Sequence, residues 1–263
     1  MRICNEEDES RIIDYIGDDY HKCLYLYLDY IRYGSTNSNV NVYIQENDSK
    51  INLLVLIYYT GMHVFSKNMD FNLQELVELI KEKNPYMICG EKEIIFKISS
   101  EIKDYNVEYG WVKCLDQSVA EDANSIRSAN RDDFEQITNL LLSDEGIGAS
   151  YTFDRLYSQL LELYETKYGR NYVLEDNGEI IAHVSTGAEN DKVAIMTDLI
   201  VNPNYRHQGI GYKMCRHIAN ELINEGKKVY LINYTDASSA LYEKVGFKVC
   251  CEWGKMYKIV NKW

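Results

Sequence analysis

Apolar residues recur at intervals of three and four from Asp18 to Tyr33, where Cys23, Leu24, Leu26, Tyr27, Tyr30 and Ile31 share a face and Gly34 follows as a stop. That spacing predicts a helix. Val40 to Gln45 and Ile51 to Tyr59 have strand length and strand composition, and Asn47-Asp48-Ser49-Lys50 between them is a turn cluster. A third strand is predicted at His63 to Ser66, after a tight turn at Thr60-Gly61. Leu73 to Lys83 sets Leu73, Leu76, Val77 and Ile80 against Glu75, Glu78, Lys81 and Glu82, the pattern of an amphipathic helix ended near Pro85. A short strand at Tyr86 to Cys89, a helix at Lys92 to Ile102 and a strand at Val107 to Leu115 complete this part.

The polar run Asp116 to Asn124 reads as a linker between a domain at residues 1–115 and another at residues 125–263. The second part opens with a short strand, Ser125 to Arg127, and a helix from Asp132 to Leu142. A further helix runs from Phe153 to Lys167, with Thr152 as its expected N-cap. Strands follow at Asn171 to Glu175 and Glu179 to Ser185, joined by the hairpin signal Asp176-Asn177-Gly178. The β-branched run Val193 to Val201 predicts a buried strand, and Ile210 to Asn224 has helical spacing. A strand at Lys228 to Asn233, a short helix at Asp236 to Lys244 and a strand from Phe247 close the order. The fold class is therefore α/β, of the α+β type, with a mixed central sheet and flanking helices.

Composition narrows the function classes. Hydrophobic residues at 46% and charged residues at 26% belong to a folded chain. A net charge of −13 disfavours a nucleic-acid backbone as partner and suits a cationic ligand, although solubility alone would also account for it. Seven cysteines form no C-x-x-C pair, and an odd number cannot all pair within one chain. With no signal-peptide pattern at the start, a reducing, cytoplasmic setting is expected. No apolar run approaches the roughly 18 residues of a membrane helix, so no membrane partner is expected. The five histidines and seven cysteines show no metal-ligand spacing.

The chemistry concentrates at Arg206-His207-Gln208-Gly209-Ile210-Gly211, where the strand at Val193 to Val201 hands over to a helix. The first backbone N–H groups of a helix have no partner inside it, and the helix dipole adds positive potential there. Glycine lets a ligand approach the backbone, so the turn predicts a phosphate-bearing ligand. A nucleotide site of another α/β family fits less well, because the Lys-Ser/Thr of a P-loop and the early second glycine of a dinucleotide fingerprint are missing.

Asp198-Leu199-Ile200-Val201-Asn202-Pro203 before the turn, and Leu241-Tyr242-Glu243-Lys244-Val245-Gly246-Phe247 about thirty residues on, make the chain resemble the GNAT superfamily of acyl-CoA-dependent N-acetyltransferases over roughly residues 125 to 260. The resemblance implies acetyl-CoA as acyl donor, held at its pyrophosphate by the backbone of His207, Gln208, Gly209, Ile210, Gly211 and Tyr212, with Arg206 at the entry. It implies that Leu199, Ile200 and Val201 pair with the pantetheine arm, and that a backbone N–H there polarises the thioester carbonyl. The strand ending at Asn233 would splay from its neighbour to admit the arm. Thr235 stands where many relatives carry an asparagine that bonds the pantetheine.

Tyr242 matches a tyrosine that protonates the leaving thiolate in many relatives; its reference pKa near 10 keeps a proton available. Asp198 is the first candidate for the base that frees the attacking amine, though a strand carboxylate paired to a neighbour fits the same position. His183 ranks second, since a histidine in an apolar strand is more often packed and hydrogen-bonded. Residues 1–115 follow a similar order of elements without a glycine turn, and the resemblance suggests a degenerate copy that walls the acceptor site or forms a homodimer contact. The leading expectation is direct acetyl transfer to a primary amine; the alternative is a CoA-binding regulatory or scaffold protein without turnover. Gly146 to Tyr151 is the loop expected to touch the acceptor.

Overall fold

The computed structural model describes residues 1–35, 37, 39–117, 125–144, 148 and 151–259. Most of the expected linker, 118–124, lies outside the described residues, as do residues 146, 147, 149 and 150 of the expected acceptor loop. The chain forms two compact units. One comprises Met1–Val112, Ile232–Tyr234 and Val249–Trp263; the other comprises Lys113–Leu231 and Thr235–Lys248.

The first unit begins with β1 (Arg2–Ile3), α1 (Glu9–Ile16) and α2 (Leu24–Tyr33), followed by β2 (Val40–Asn47), β3 (Lys50–Tyr58) and β4 (Gly61–Phe65). It continues through α3 (Leu73–Lys83), β5 (Met87–Glu91), α4 (Lys92–Glu101) and β6 (Tyr105–Leu115). The helix expected over Asp18–Tyr33 is shorter than its periodicity: Gly17–Lys22 is a 3-10 turn, and Cys23 at φ −148° interrupts the coil before Leu24. β1 and α1 escaped the sequence pattern because α1 buries only Ile12 and Ile16 in eight residues.

The second unit contains β7 (Ile126–Ser128), α5 (Phe134–Leu142), α6 (Phe153–Glu165), β8 (Asn171–Asp176), β9 (Glu179–Glu189) and β10 (Val193–Val201). After these come α7 (Ile210–Asn224), β11 (Lys228–Asn233) and α8 (Asp236–Val245). Thr152 precedes α6 in extended conformation, but its side chain makes no capping hydrogen bond, contrary to expectation. The last strand, β12 (Lys248–Lys258), pairs antiparallel with β5, Trp253 opposite Glu91 and Tyr257 opposite Met87.

In each unit three antiparallel strands lead to one parallel pair. β2-β3-β4 is followed by β5 parallel to β4, and β8-β9-β10 by β11 parallel to β10. Helices cover both faces. In the first unit Leu53, Val55, Val64 and Met256 pack on one side, while Leu54, Leu56 and Phe65 pack on the other with Ile12 and Ile16. In the second, Met214, Ile218 and Leu222 of α7 join Leu115, while Phe134 and Ile137 of α5 meet Val173 and Ile200. Each such fully buried aliphatic side chain contributes about 1.5–3 kcal/mol.

Both units also open with one device. The Arg2 guanidinium grips the buried Asp8 carboxylate through two hydrogen bonds of 2.7 Å, and Asn5 caps the turn between them. Arg127 grips Asp133 at 2.7 and 2.9 Å, with Asn130 in the same capping role. The arginine partners hold both carboxyls below the usual range, Asp8 at about 2. The same Arg-x-x-Asn-x-x-Asp spacing occurs at both places in the sequence.

Candidate active site

The site is built around an irregularity in β10. Its antiparallel register with β9 shifts between Ile195 and Met196 and again between Thr197 and Ile200. Asp198 sits in this bulge at φ +52°, a conformation side-chain-bearing residues rarely adopt. Its carboxylate accepts hydrogen bonds from Ser185 Oγ at 3.0 Å and Thr197 Oγ1 at 3.2 Å. Burial pushes the Asp198 carboxyl up, and the two hydroxyl donors oppose that shift. A carboxylate with a raised pKa is a stronger base than a solvated one.

His183 lies beneath the bulge, fully buried. Its Nδ1 is 3.1 Å from the Asp198 carbonyl oxygen and its Nε2 is 2.9 Å from Asn171 Oδ1. Burial pushes its pKa down to about 4, so the ring is neutral at pH 7. A backbone carbonyl can only accept, so the ring proton that serves Asp198 sits on Nδ1; Nε2 then accepts from Asn171 once that amide is turned to present its nitrogen in place of Oδ1. Both nitrogens are committed, which makes His183 part of the frame and leaves Asp198 as the base candidate.

The bulge coincides with a parting of strands. β10 and β11 pair only as Val193 with Lys228, Ala194 with Val229 and Ile195 with Tyr230. From Met196 to Val201 the strand has no β11 partner, which is the splay expected from the resemblance. Leu199 and Val201 are half-buried there, while Ile200 points into the core.

Asn202 caps the 3-10 turn Pro203–Tyr205, and the chain then passes His207 at φ +64° and Gly209 at φ +78° into α7. Gly209 provides no side-chain cap, and the first turn of α7 has no acidic residue. The leading amides of Ile210, Gly211 and Tyr212 therefore face outward as donors. Gly211 packs closely instead: a Cβ there would stand 3.2 Å from the Leu241 side chain and 3.7 Å from that of Val201. Arg206 braces the turn, its Nε donating to the Val201 carbonyl at 3.0 Å and its guanidinium 3.6 Å from Asp144.

Helix α8 brings Tyr242 to the same unit. Its ring packs edge-on to Phe247 at 6.1 Å, and burial pushes the phenol above its usual pKa, so it stays protonated. Thr235 caps α8, its hydroxyl accepting from the Ser238 amide at 3.4 Å. Asn233, buried at the end of β11, is grouped with the first unit. Two contributors were missed in the sequence. Ser185 holds the Asp198 carboxylate, and Lys113, 1% exposed, reaches Ser239 and Glu243 on α8, the latter at 3.0 Å. A lysine in Val112-Lys113-Cys114-Leu115 was the available signal.

The bulged strand, the parted parallel neighbour, the glycine turn and the uncapped helix thus follow one another along β10, β11 and α7. Residues 134–247 match the model of the Acetyltransferase (GNAT) family, so the second half of the chain carries a GNAT domain. Over 80 residues the chain is 31% identical to the [ribosomal protein bS18]-alanine N-acetyltransferase of Escherichia coli strain K12, covering 29% of this chain and 53% of that protein. The chain thus spans about half the length of the curated relatives it matches. Among solved structures, a GCN5-related N-acetyltransferase from Sphaerobacter thermophilus has a TM-score of 0.66 at 13% identity, covering 98% of this chain and 94% of that one. A tandem GNAT protein from the clavulanic acid biosynthesis pathway has a TM-score of 0.61 at 11% identity, with coverage of 98% and 97%. At these identities the structural likeness speaks for the fold, and it extends over the whole chain.

Proposed function

We propose that this protein is an N-acetyltransferase moving an acetyl group from acetyl-CoA to a primary amine by direct attack, with its chemistry in residues 125–263 and residues 1–115 as a degenerate copy. The observation that carries this reading is the uncapped, glycine-led start of α7 beside a bulged strand that has lost its parallel neighbour. In this reading the first amides of α7 hold the pyrophosphate. The Leu199 N–H is aimed at negative charge developing on the thioester oxygen. Asp198 takes the proton of the attacking amine, and Tyr242 supplies one to the departing thiolate. The relative named as an alanine N-acetyltransferase supports an amine as the acceptor class.

One feature favours the rival reading of a CoA-binding protein without turnover: two hydroxyls already occupy the Asp198 carboxylate. Calorimetry with acetyl-CoA, followed by thiol-release assays over a panel of amines on wild type and Tyr242→Phe, separates the two. Acetyl-CoA is expected to bind, and the variant is expected to lose at least about tenfold in turnover while affinity stays within about threefold. No binding at near-millimolar ligand overturns the proposal; binding without thiol release on any amine favours the rival.

A further inference from the structure

The bulge in β10 creates a carbonyl that the ladder cannot satisfy, because the register with β9 is broken on both sides of Asp198. A buried carbonyl without a donor is costly, so a donor there selects one orientation of the peptide. With its proton on Nδ1, His183 is that donor, at 3.1 Å, and its Nε2 lies 2.9 Å from the end of the Asn171 side chain, whose amide nitrogen completes the pair when turned toward the ring. A polar chain thus crosses three strands, from Asn171 on β8 through His183 on β9 to Asp198 on β10, with its two side chains buried. A trans peptide points its C=O and N–H in opposite directions. Anchoring the Asp198 oxygen toward β9 therefore turns the Leu199 N–H away from β9, to the side where β10 has no β11 partner.

We infer that His183 and Asn171 are positioning residues that hold the Leu199 amide in the orientation used on the acyl carbonyl. This rests on the acetyltransferase reading, but its geometry can be read without turnover. His183→Asn places an amide nitrogen where Nδ1 stood and keeps the donation to the Asp198 carbonyl. His183→Gln reaches the place of Nε2 and loses it. If the ring only filled space, the two variants would behave alike.

The experiment pairs steady-state kinetics with hydrogen exchange on the full chain. His183→Gln is expected to lower kcat by about thirtyfold or more and His183→Asn by no more than about fivefold, with KM for acetyl-CoA within about threefold in both. In the free protein, exchange at residues 199–201 should quicken about tenfold or more in His183→Gln and little in His183→Asn. Asn171→Ser, which loosens the ring without removing it, should fall between them and serves where His183→Gln does not fold. Equal losses in both His183 variants, or an unchanged Asn171→Ser in both kcat and exchange, overturn the inference. A wild-type protein that binds acetyl-CoA without turnover overturns the acetyltransferase reading instead, and exchange alone then decides the positioning role.

Discussion

Helices α3 and α7 hold corresponding places in their units, each following a third antiparallel strand and preceding a strand parallel to it. Their N-termini differ. The side chain of Asn72 accepts from the Gln74 and Glu75 amides at the start of α3, and the Glu75 carboxylate in the same turn pairs with the Met1 ammonium at 2.8 Å and Gln45 Nε2 at 3.2 Å. The start of α7 has a glycine in the left-handed region, no side-chain cap and no acid. The strands differ in step. β4 and β5 stay paired over four positions, and Gly90 permits the approach, since a Cβ there would lie 2.8 Å from the Val64 carbonyl oxygen. β10 and β11 hold three positions and separate at a bulge. The start of α3 is thus occupied by its own chain where the start of α7 is open, within the same order of elements.

The comparison can be broken most directly by giving α7 what α3 has. Gly209→Asp places a carboxylate at the cap, and acetyl-CoA affinity is expected to fall more than about 100-fold, about 3 kcal/mol, in calorimetry. Undiminished affinity would mean that the helix start is not the anion site. A smaller effect concerns the one fully framed or orphaned histidine on a strand of each unit. Burial pushes both His63 and His183 down to about 4, from an unfolded value near 6.5. Their stabilising contribution is complete above pH 6.5 and is lost as pH falls toward 4, because the unfolded chain takes up the protons first. Each should cost about 2 kcal/mol at pH 5. His63 Nδ1 has no hydrogen-bond partner among the described residues, so His63→Leu should reduce the loss of stability between pH 7 and pH 5 in urea unfolding. An unaltered pH dependence would contradict this. The smallest effect is expected at the first unit itself: Asn72→Ala should lower stability by about 1 kcal/mol and leave acetyl-CoA affinity unchanged, since Gly90 still keeps β4 against β5. A gain in binding stoichiometry would show that the cap alone silences this unit.

Long periodic elements were legible in the sequence. The strand Val193–Val201 and the helix Ile210–Asn224 lie where apolar spacing put them, because each buries one continuous face. Gly209 and Gly211 were legible as a backbone feature, Gly209 for its positive φ and Gly211 for its close packing against Leu241. What could not be read depends on partners distant in sequence. That Asp198 would adopt φ +52° is set by a register shift against β9, and that His183 would serve its carbonyl is set by the same shift. Lys113 looked like one charge in a strand, and only the fold brings Glu243 to it.

The pairing of β12 with β5 has a consequence for how the chain is made. A ribosome releases residues in order, and domains at the start of a chain ordinarily fold first. Here the unit that contains Met1 takes in Val249–Trp263, so it cannot be finished until that late segment has been made. Until then the Met87–Glu91 edge lacks its antiparallel partner, a template for pairing with another nascent chain. The unit begun first is completed after the other, which leaves that edge open for as long as residues 92–248 are being made.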